Sequence, residues 1–189
     1  EETQVLMLRF RLTNCGDNPA KVSLPFEIEL RTAEVSNEPV IAKDSLIYSK
    51  LPEEELLRMY VNTNGVAKLV QDGERVLCEV ELPGRSIKDF YIHVPFLTLL
   101  TAEEIEQMKK LDFDEQHKIV VDYWRKRMSE GAQIVTPEPM INDFYSAHTS
   151  HLLINSENEV RSSNNHHVMV KVGTFGYGAF SNESVMMTT

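Results

Sequence analysis

The sequence predicts an α+β fold in which an antiparallel β-sandwich comes first and helices follow. Apolar and polar residues alternate with a period of two in several runs before residue 97, as in half-buried strands. Turn residues such as Gly, Asn and Pro separate these runs. After residue 100, apolar residues recur at helical spacing behind a capping motif. Together these patterns predict strands with hairpin turns, and then helices.

The first two strands are predicted from an alternation that a turn interrupts. The apolar positions of the two runs are Leu6, Leu8, Phe10 and Leu12, then Val22, Leu24, Phe26, Ile28 and Leu30. Residues 14–19 contain Asn, Gly, Asp and Pro, which favour a turn. We predict that the two runs form a β-hairpin. Pro25 lacks an amide hydrogen for the ladder, so it predicts an edge position or a bulge.

Further strands are predicted near the end of the first half. Residues 76–82 alternate after the turn at Asp72-Gly73, and residues 90–96 alternate after Pro83-Gly84. The segment 31–57 is less regular. At its end, two predictions compete: residues 56–62 could form a strand, or the glutamates at 53–55 could open a short helix. Periodicity does not decide between the strand and the helix.

Three helices are predicted in the second half. Thr101 and Glu104 form a capping box, which starts the first helix. The second helix runs from about Asp114 to Gly131, with cations in its last turns. The third begins with Pro139 in its first turn and runs to about residue 155. A polar loop over residues 156–165 and a short apolar run at 168–172 follow.

Composition excludes some function classes. The chain has 189 residues, 42% of them hydrophobic, and a formal net charge of -10, which would repel a nucleic-acid backbone. No run approaches the ~18 to 20 apolar residues that span a bilayer. We therefore expect neither nucleic-acid nor membrane binding. Residues 1–4 lack a signal-peptide pattern and lead almost at once into a strand, as in a fragment, so localisation is left open.

Cysteine and histidine spacing predicts no metal or nucleophile. Cys15 and Cys78 are the only cysteines, and their separation favours a buried, free Cys78. His148 and His151 could share a helix face, near His166-His167 in sequence, but no carboxylate or cysteine stands at a ligand spacing beside them. We expect no metal ion and no cofactor. No Ser/His/Asp or Cys/His pattern is visible either.

A glycine-rich loop and the acidic residues are the remaining candidates for a site. Residues 173–178 lack the Gly-Lys-Ser/Thr ending of a phosphate loop, so we reject a nucleotide site. The loop places Phe175, Tyr177 and Phe180 either in the core or at a cleft. The carboxylates at positions 138, 143 and 183 lie at helix starts, where compensation of the helix dipole also explains them.

The junction between the two halves resembles a known family. The motifs are Tyr123-Trp124 with Arg127, then Glu130-Gly131-Ala132-Gln133-Ile134, Pro137-Glu138-Pro139 and Asn142-Asp143. Their order after a strand-rich unit and a capped helix resembles the domain junction of bacterial six-hairpin glycosidases. The resemblance covers mainly residues 97–183 and consists of order and spacing. It implies a β-sandwich, a linker helix and the first helices of an incomplete (α/α)6 toroid.

The resemblance also implies a domain division and a substrate. Residues 1–96 would form the sandwich, 97–131 the linker helices, and 132–189 the truncated start of the toroid. The loop 173–183 would join the first two toroid helices, so Phe175, Tyr177 and Glu183 are the predicted substrate-binding residues. In similar enzymes the acid and base come from later loops, so no catalytic residue is assigned and this chain alone is expected to be inactive.

Two functions are therefore carried forward. The first is the N-terminal part of a carbohydrate-active enzyme, a glycoside hydrolase, whose complete parent protein acts on carbohydrate. The alternative is a non-catalytic carbohydrate- or protein-binding sandwich module, for which Tyr48, Tyr60 and Tyr91 are candidate sugar-stacking residues and equally plausible packing residues. In an incomplete toroid, the apolar faces of the first helices would lack the helices they normally pack against. We expect these faces either to dock against the sandwich or to form an exposed apolar patch.

Overall fold

A computed structural model describes residues 4–31, 35–50, 53–154, 156–162 and 165–170. The strands in this part of the chain are β1 (Val5–Thr13), β2 (Ala20–Phe26), β3 (Ile28–Arg31), β4 (Val35–Glu38), β5 (Val40–Lys43), β6 (Leu46–Lys50), β7 (Glu55–Asn62), β8 (Ala67–Asp72), β9 (Arg75–Leu82), β10 (Ile87–Pro95), β11 (Ser156–Ser162) and β12 (Asn165–Val170). The helices are α1 (Ala102–Lys109), α2 (Phe113–Glu130) and α3 (Pro139–Ile154). The fold is α+β, as predicted.

Two antiparallel sheets form the first part of the chain. One has five strands in the order β1-β10-β7-β6-β5, and the other has three in the order β2-β9-β8. β3 pairs with β4, and β11 pairs with β12, as separate two-stranded sheets. The chain divides into two compact units, Glu1–His117 and Lys118–Thr189, with the boundary inside α2.

The two larger sheets share one hydrophobic core, as in a β-sandwich. Val61 and Phe90 from the five-stranded sheet cluster with Val76, Cys78 and Val80 of β9, and all five are almost completely buried. Burying such side chains stabilises the fold by roughly 1.5–3 kcal/mol each. The free, buried Cys78 agrees with the sequence prediction, and burial raises the pKa of its thiol to about 11.

The other face of the five-stranded sheet packs against α1. Met108 of α1 is buried with Leu57 of β7 and Leu99, and Tyr48 and Tyr60 pack around them. Alternation places Tyr60 on the face opposite the core residue Val61, and the register shift between β6 and β7 at Ile47 and Tyr48 brings Leu57 onto the face of Tyr60. The predicted capping box is present, because Thr101 Oγ1 accepts from the Glu104 amide and the Glu104 carboxylate accepts from the Thr101 amide. The layers of this unit are therefore sheet, sheet and helix.

The predicted hairpin between the first two strands is wrong. β1 pairs with β10 in the larger sheet, whereas β2 pairs with β9 in the smaller one. The turn at residues 14–19 therefore crosses from one sheet to the other. The side-chain amide of Asn14 donates to the carbonyl oxygens of Asn18, Leu82 and Pro83, which ties this crossing to the β9–β10 connection. Alternation identified both strands correctly but contains no information on their distant partners.

The observed strands decide three further predictions about the first half of the chain. β2 is an edge strand of its sheet, which agrees with the edge position predicted for Pro25. The segment with competing strand and helix predictions is strand β7. Asp72-Gly73 joins β8 to β9 as predicted, with Gly73 at a φ of 60°.

The three predicted helices are confirmed, but the predicted polar loop after them is wrong. Within residues 156–165 the chain forms strand β11 and the start of β12, which pair from Ser156 opposite Val170 to Ser162 opposite Asn165. The polar residues of these two segments have little strand propensity of their own. Pairing forms the strands, because it satisfies the backbone amide and carbonyl groups of both segments. Polarity alone was therefore a poor guide to this segment.

Candidate functional site

A cleft lies at one end of the sandwich in the described part of the chain. It has a volume of about 740 Å³, within the usual range for ligand sites. Three connections meet there: the β1–β2 crossing, the β7–β8 turn and the β9–β10 connection. Its lining residues are Pro19, Ala20, Lys21, Gly65, Val66, Ala67, Lys68, Glu79, Glu81, Leu82, Pro83 and Lys88. We call this feature the end cleft.

The end cleft combines apolar walls with an excess of cations. Lys21 Nζ lies 3.0 Å from Glu79 Oε2, and this hydrogen bond raises the pKa of the lysine. Lys68 and Lys88 also line the cleft, against one further carboxylate, Glu81. Three lysines and two glutamates leave one positive charge in excess, in a chain whose net charge is -10. Such a surface suits a ligand that presents an anionic or strongly polar group beside an apolar body.

The junction before α3 is held by paired hydrogen bonds. The side-chain oxygen of Asn142 accepts from the Thr136 amide at 2.8 Å, and its nitrogen donates to the Thr136 carbonyl at 3.0 Å. Tyr145 donates from its hydroxyl to the Ala132 carbonyl, and Gln133 Nε2 donates to the last turn of α2 at Met128. These bonds give the residues of the family-like junction a clear local task, which is to fix the connection between two helices.

Helices α2 and α3 leave many apolar side chains exposed. No residue of α2 is buried. The two helices touch where Ser150 donates to the sulfur of Met128. The exposed apolar residues are Ile119, Val120 and Tyr123 on α2, and Met140, Ile141, Phe144, Leu153 and Ile154 on α3. We call this set the helical apolar surface. The apolar stripe of a helix in a folded domain usually faces a core, so these side chains differ from those of α1.

The predicted substrate-binding residues are not among those that the structure places. Phe175, Tyr177 and Glu183 lie outside the described residues, as do Phe180 and the glycine-rich loop. The three candidate sugar-stacking tyrosines are half-buried and pack inside the first unit. Tyr48 and Tyr60 surround Met108, and the ring of Tyr91 lies 5.4 Å from that of Phe113. Their environment therefore favours the packing alternative.

A buried histidine lies beside α1. His93 lies almost fully buried on the α1 side of β10, with Nδ1 3.1 Å from the Met108 carbonyl oxygen. Burial lowers its pKa, and the hydrogen bond to Met108 partly offsets that effect. The ring of Tyr60 lies edge-on at 5.4 Å. With these neighbours His93 is a packing residue that carries one backbone hydrogen bond.

Sequence reasoning did not find the end cleft. Its lysines come from β2, β8 and β10, which are far apart along the chain, and no motif links them. The only sequence indication is the turn chemistry at residues 63–66 and 83–86, which places loops at the ends of strands. Among the described residues, no group of three or more His, Cys, Asp or Glu could hold a metal ion.

Comparison with known proteins supplies no relative. No protein-family model, curated protein or solved structure matches this chain. In the described part of the chain, no helix has the length and apolarity needed to cross a membrane.

Proposed function

We propose that this chain is the N-terminal part of a carbohydrate-active enzyme, a glycoside hydrolase, in which the sandwich supports a helical catalytic domain. The helical apolar surface is the observation that carries the proposal. Helices whose apolar residues face solvent gain little from burial, so they require further helices against which to pack. A toroid of helical hairpins would supply them, and its later loops would supply the catalytic acid and base.

The order of elements supports the same proposal. A sandwich, a capped helix packed on it and two longer helices follow one another along the chain. The Thr136 and Asn142 hydrogen bonds fix the junction at which the toroid would begin. In this role residues 97–131, which include α1 and α2, are the linker helices, and α3 is the first toroid helix.

The test compares this chain with a longer one that includes the downstream part of the parent gene. We expect the longer chain to hydrolyse or phosphorolyse members of a glycan panel, and the 189-residue chain to be inactive. Phe144→Asp serves as the packing probe. It should leave the thermal unfolding of the short chain unchanged and destabilise the longer one, because Phe144 becomes buried only there. An inactive longer chain that tolerates Phe144→Asp would overturn the proposal.

The end cleft favours one second candidate, a non-catalytic binding module for carbohydrate or protein. Titrating the chain with neutral and acidic sugars, followed by two-dimensional NMR, would detect such binding. Shifts should concentrate at residues around Lys68 and Lys88 and weaken in the Lys68→Gln and Lys88→Gln variants. Lys126→Gln on α2 is the matched control, since it also removes an exposed lysine. Uniform or absent shifts would rule out carbohydrate binding at the end cleft.

A further inference from the structure

β1 offers a row of backbone hydrogen-bonding groups at the edge of the five-stranded sheet. Two bonds flank its ladder with β10: the Asn14 amide donates to the Ser86 carbonyl, and the Phe96 amide donates to the Gln4 carbonyl, both at 2.9 Å. In an antiparallel pair such bonded positions alternate with unbonded ones. The even-numbered residues of β1 therefore bond to β10, and the odd-numbered residues direct their amides and carbonyls away from it.

The position of a proline supports this assignment. Pro95 lies opposite Val5, an odd-numbered residue, and proline has no amide hydrogen to donate. The groups directed away from β10 belong to Val5, Met7, Arg9, Arg11 and Thr13. Among the described strands, β1 pairs only with β10, so no described strand occupies this edge.

The opposite edge of the same sheet, at β5, has a side chain bonded to its backbone groups. At β5, the side chain of Gln71 accepts from the Ala42 amide at 3.0 Å and donates to the Val40 carbonyl at 2.9 Å. A side chain that satisfies edge groups prevents another strand from adding there. No such contact is found along the described residues of β1. The sheet thus has one closed edge and one open edge.

Apolar side chains accompany the open edge. Leu6, Leu8 and Phe10 are 58%, 38% and 36% exposed, although they alternate along β1 on the face that carries the sandwich core. Phe10 stacks on Phe90 with ring centroids 5.1 Å apart, which identifies that face. The facing sheet has three strands against five, so it is too narrow to cover every strand. An exposed apolar edge strand of nine residues is a template for strand addition.

We propose that β1 pairs antiparallel with β1 of a second copy of this chain, about a two-fold axis at Leu8. In this register Leu8 lies opposite Leu8 of the second copy, and Leu6 lies opposite Phe10, so the three exposed apolar residues cover one another. Met7 lies opposite Arg9 and exchanges backbone hydrogen bonds with it through groups that no described residue of the single chain contacts. The two five-stranded sheets then form one continuous sheet across an isologous interface.

Charge selects this register over its neighbour. An axis one residue further along would place Arg9 opposite Arg9 of the second copy, and like charges directly opposite destabilise a pair of strands. With the axis at Leu8, Arg9 faces Met7 and Arg11 faces Val5. Arg11 is held by its own Asp89 at 2.8 Å, and Arg9 lies over the ring of Phe113, so neither cation needs a new partner.

Sedimentation velocity of the 189-residue chain over a concentration series tests the proposal. We expect a concentration-dependent dimer for the unmodified chain and a monomer for Met7→Pro. The amide of Met7 points to the open edge, so proline there keeps the ladder to β10 and blocks the added strand. Leu8→Lys places two like charges at the axis and should also give a monomer. Ile87→Lys is the control, because Ile87 is exposed on β10 opposite Thr13, at the far end of β1 from the proposed axis, and it should remain dimeric.

The helical apolar surface is a second route to self-association, so Phe144→Lys is measured in parallel. The proposal requires that Phe144→Lys stays dimeric. It is overturned if the unmodified chain is monomeric throughout, if Phe144→Lys abolishes the dimer, or if Leu8→Lys retains it. Thermal unfolding of each variant verifies folding. Should Met7→Pro unfold, Leu8→Lys decides, since its side chain is partly solvent-exposed. None of these outcomes depends on glycoside hydrolysis, so the proposal stands or falls apart from the proposed function.

Discussion

The two parts of the molecule differ in where they place their apolar residues. In the sandwich, Phe90 is 1% exposed at the centre of a core shared by two sheets. On α3, Phe144 is 69% exposed and stacks on the neighbouring ring of His148 within the same helix. Sequence periodicity predicted an apolar face for the strand that contains Phe90 and for the helix that contains Phe144. Among the described residues, the face of the strand is covered and that of the helix is exposed.

This difference teaches which part of the chain can fold by itself. A sheet-on-sheet core closes with residues that the chain already contains, and α1 covers the remaining face of the larger sheet. No residue of α2 is buried, the described side chains of α3 are exposed or half-buried, and local hydrogen bonds such as those between Thr136 and Asn142 hold the connection between the two helices. Helices of this kind are marginal until further surface packs on them. The proposed toroid and the predictions below all depend on this contrast.

The largest effect is expected from truncating one phenylalanine in each part. Phe90→Ala removes a buried ring and leaves a cavity, which should lower the free energy of unfolding by about 3–5 kcal/mol. Phe144→Ala should change it by less than about 0.5 kcal/mol, because the ring is already in solvent. Urea unfolding followed by circular dichroism measures both. Equal losses of unfolding free energy for the two variants would contradict the difference in burial between the two rings.

A pair of glycines extends the comparison to the backbone. A Cβ on Gly84 would lie 1.9 Å from the carbonyl oxygen of Asp17, where the two sheet crossings meet. Gly84→Ala must therefore displace backbone, and we expect a loss of about 1–3 kcal/mol, as for overpacking. Gly131, after α2, has no atom within 4 Å of such a Cβ, so Gly131→Ala should be neutral within about 0.5 kcal/mol. A neutral Gly84→Ala would contradict the close approach.

Acidification should weaken the sheet part through His93. Because burial lowers its pKa, the folded chain binds fewer protons than the unfolded chain once the pH falls below about 6.5. The unfolding free energy should then fall with decreasing pH, by at most about 1.4 kcal/mol per pH unit for one proton. Urea midpoints measured from neutral pH to about pH 5 would reveal the slope. His93→Gln should flatten it, and an unchanged slope would exclude this histidine as the cause.

The smallest effect is expected at the cap of α1. Thr101→Ala removes the hydroxyl that accepts from the Glu104 amide, and a lost cap costs about 1 kcal/mol. The loss should appear as a lower thermal midpoint, because α1 packs on the sheet and belongs to its unit. Thr98→Ala, an exposed threonine three residues earlier, is the control and should have no effect. A silent Thr101→Ala would mean that α1 is not needed to cover the sheet.

Local patterns predicted most elements but not their partners. The capping box at Thr101 and the proline at the start of α3 depend on neighbours in sequence, so both were found correctly. The crossing of β1 and β2 into different sheets depends on β10 and β9, whose paired residues lie some fifty to ninety positions away along the chain. Alternation cannot distinguish that arrangement from a hairpin. The prediction of a loop at β11 and β12 was wrong for the same reason, since the pairing of the two strands, and not local propensity, forms this polar hairpin.

The candidate site was harder to predict than the fold. The end cleft takes Lys21, Lys68 and Lys88 from three strands, and each is an unremarkable surface lysine in the sequence. The residues predicted from family resemblance, Phe175, Tyr177 and Glu183, lie beyond the described part of the chain, so that prediction stays a prediction. A site assembled from distant strands becomes visible only when the sheets are in place.

Hydrogen exchange along the 189-residue chain tests the central contrast most directly. Amides of β9 and β10 should exchange slowly, through global unfolding, because the sandwich core covers them. Amides of α3 should exchange much faster, since the helix has few buried contacts to lose when it opens. Slow exchange in α3, equal to that of β9 and β10, would contradict the account, because the helices would then be stable without further surface.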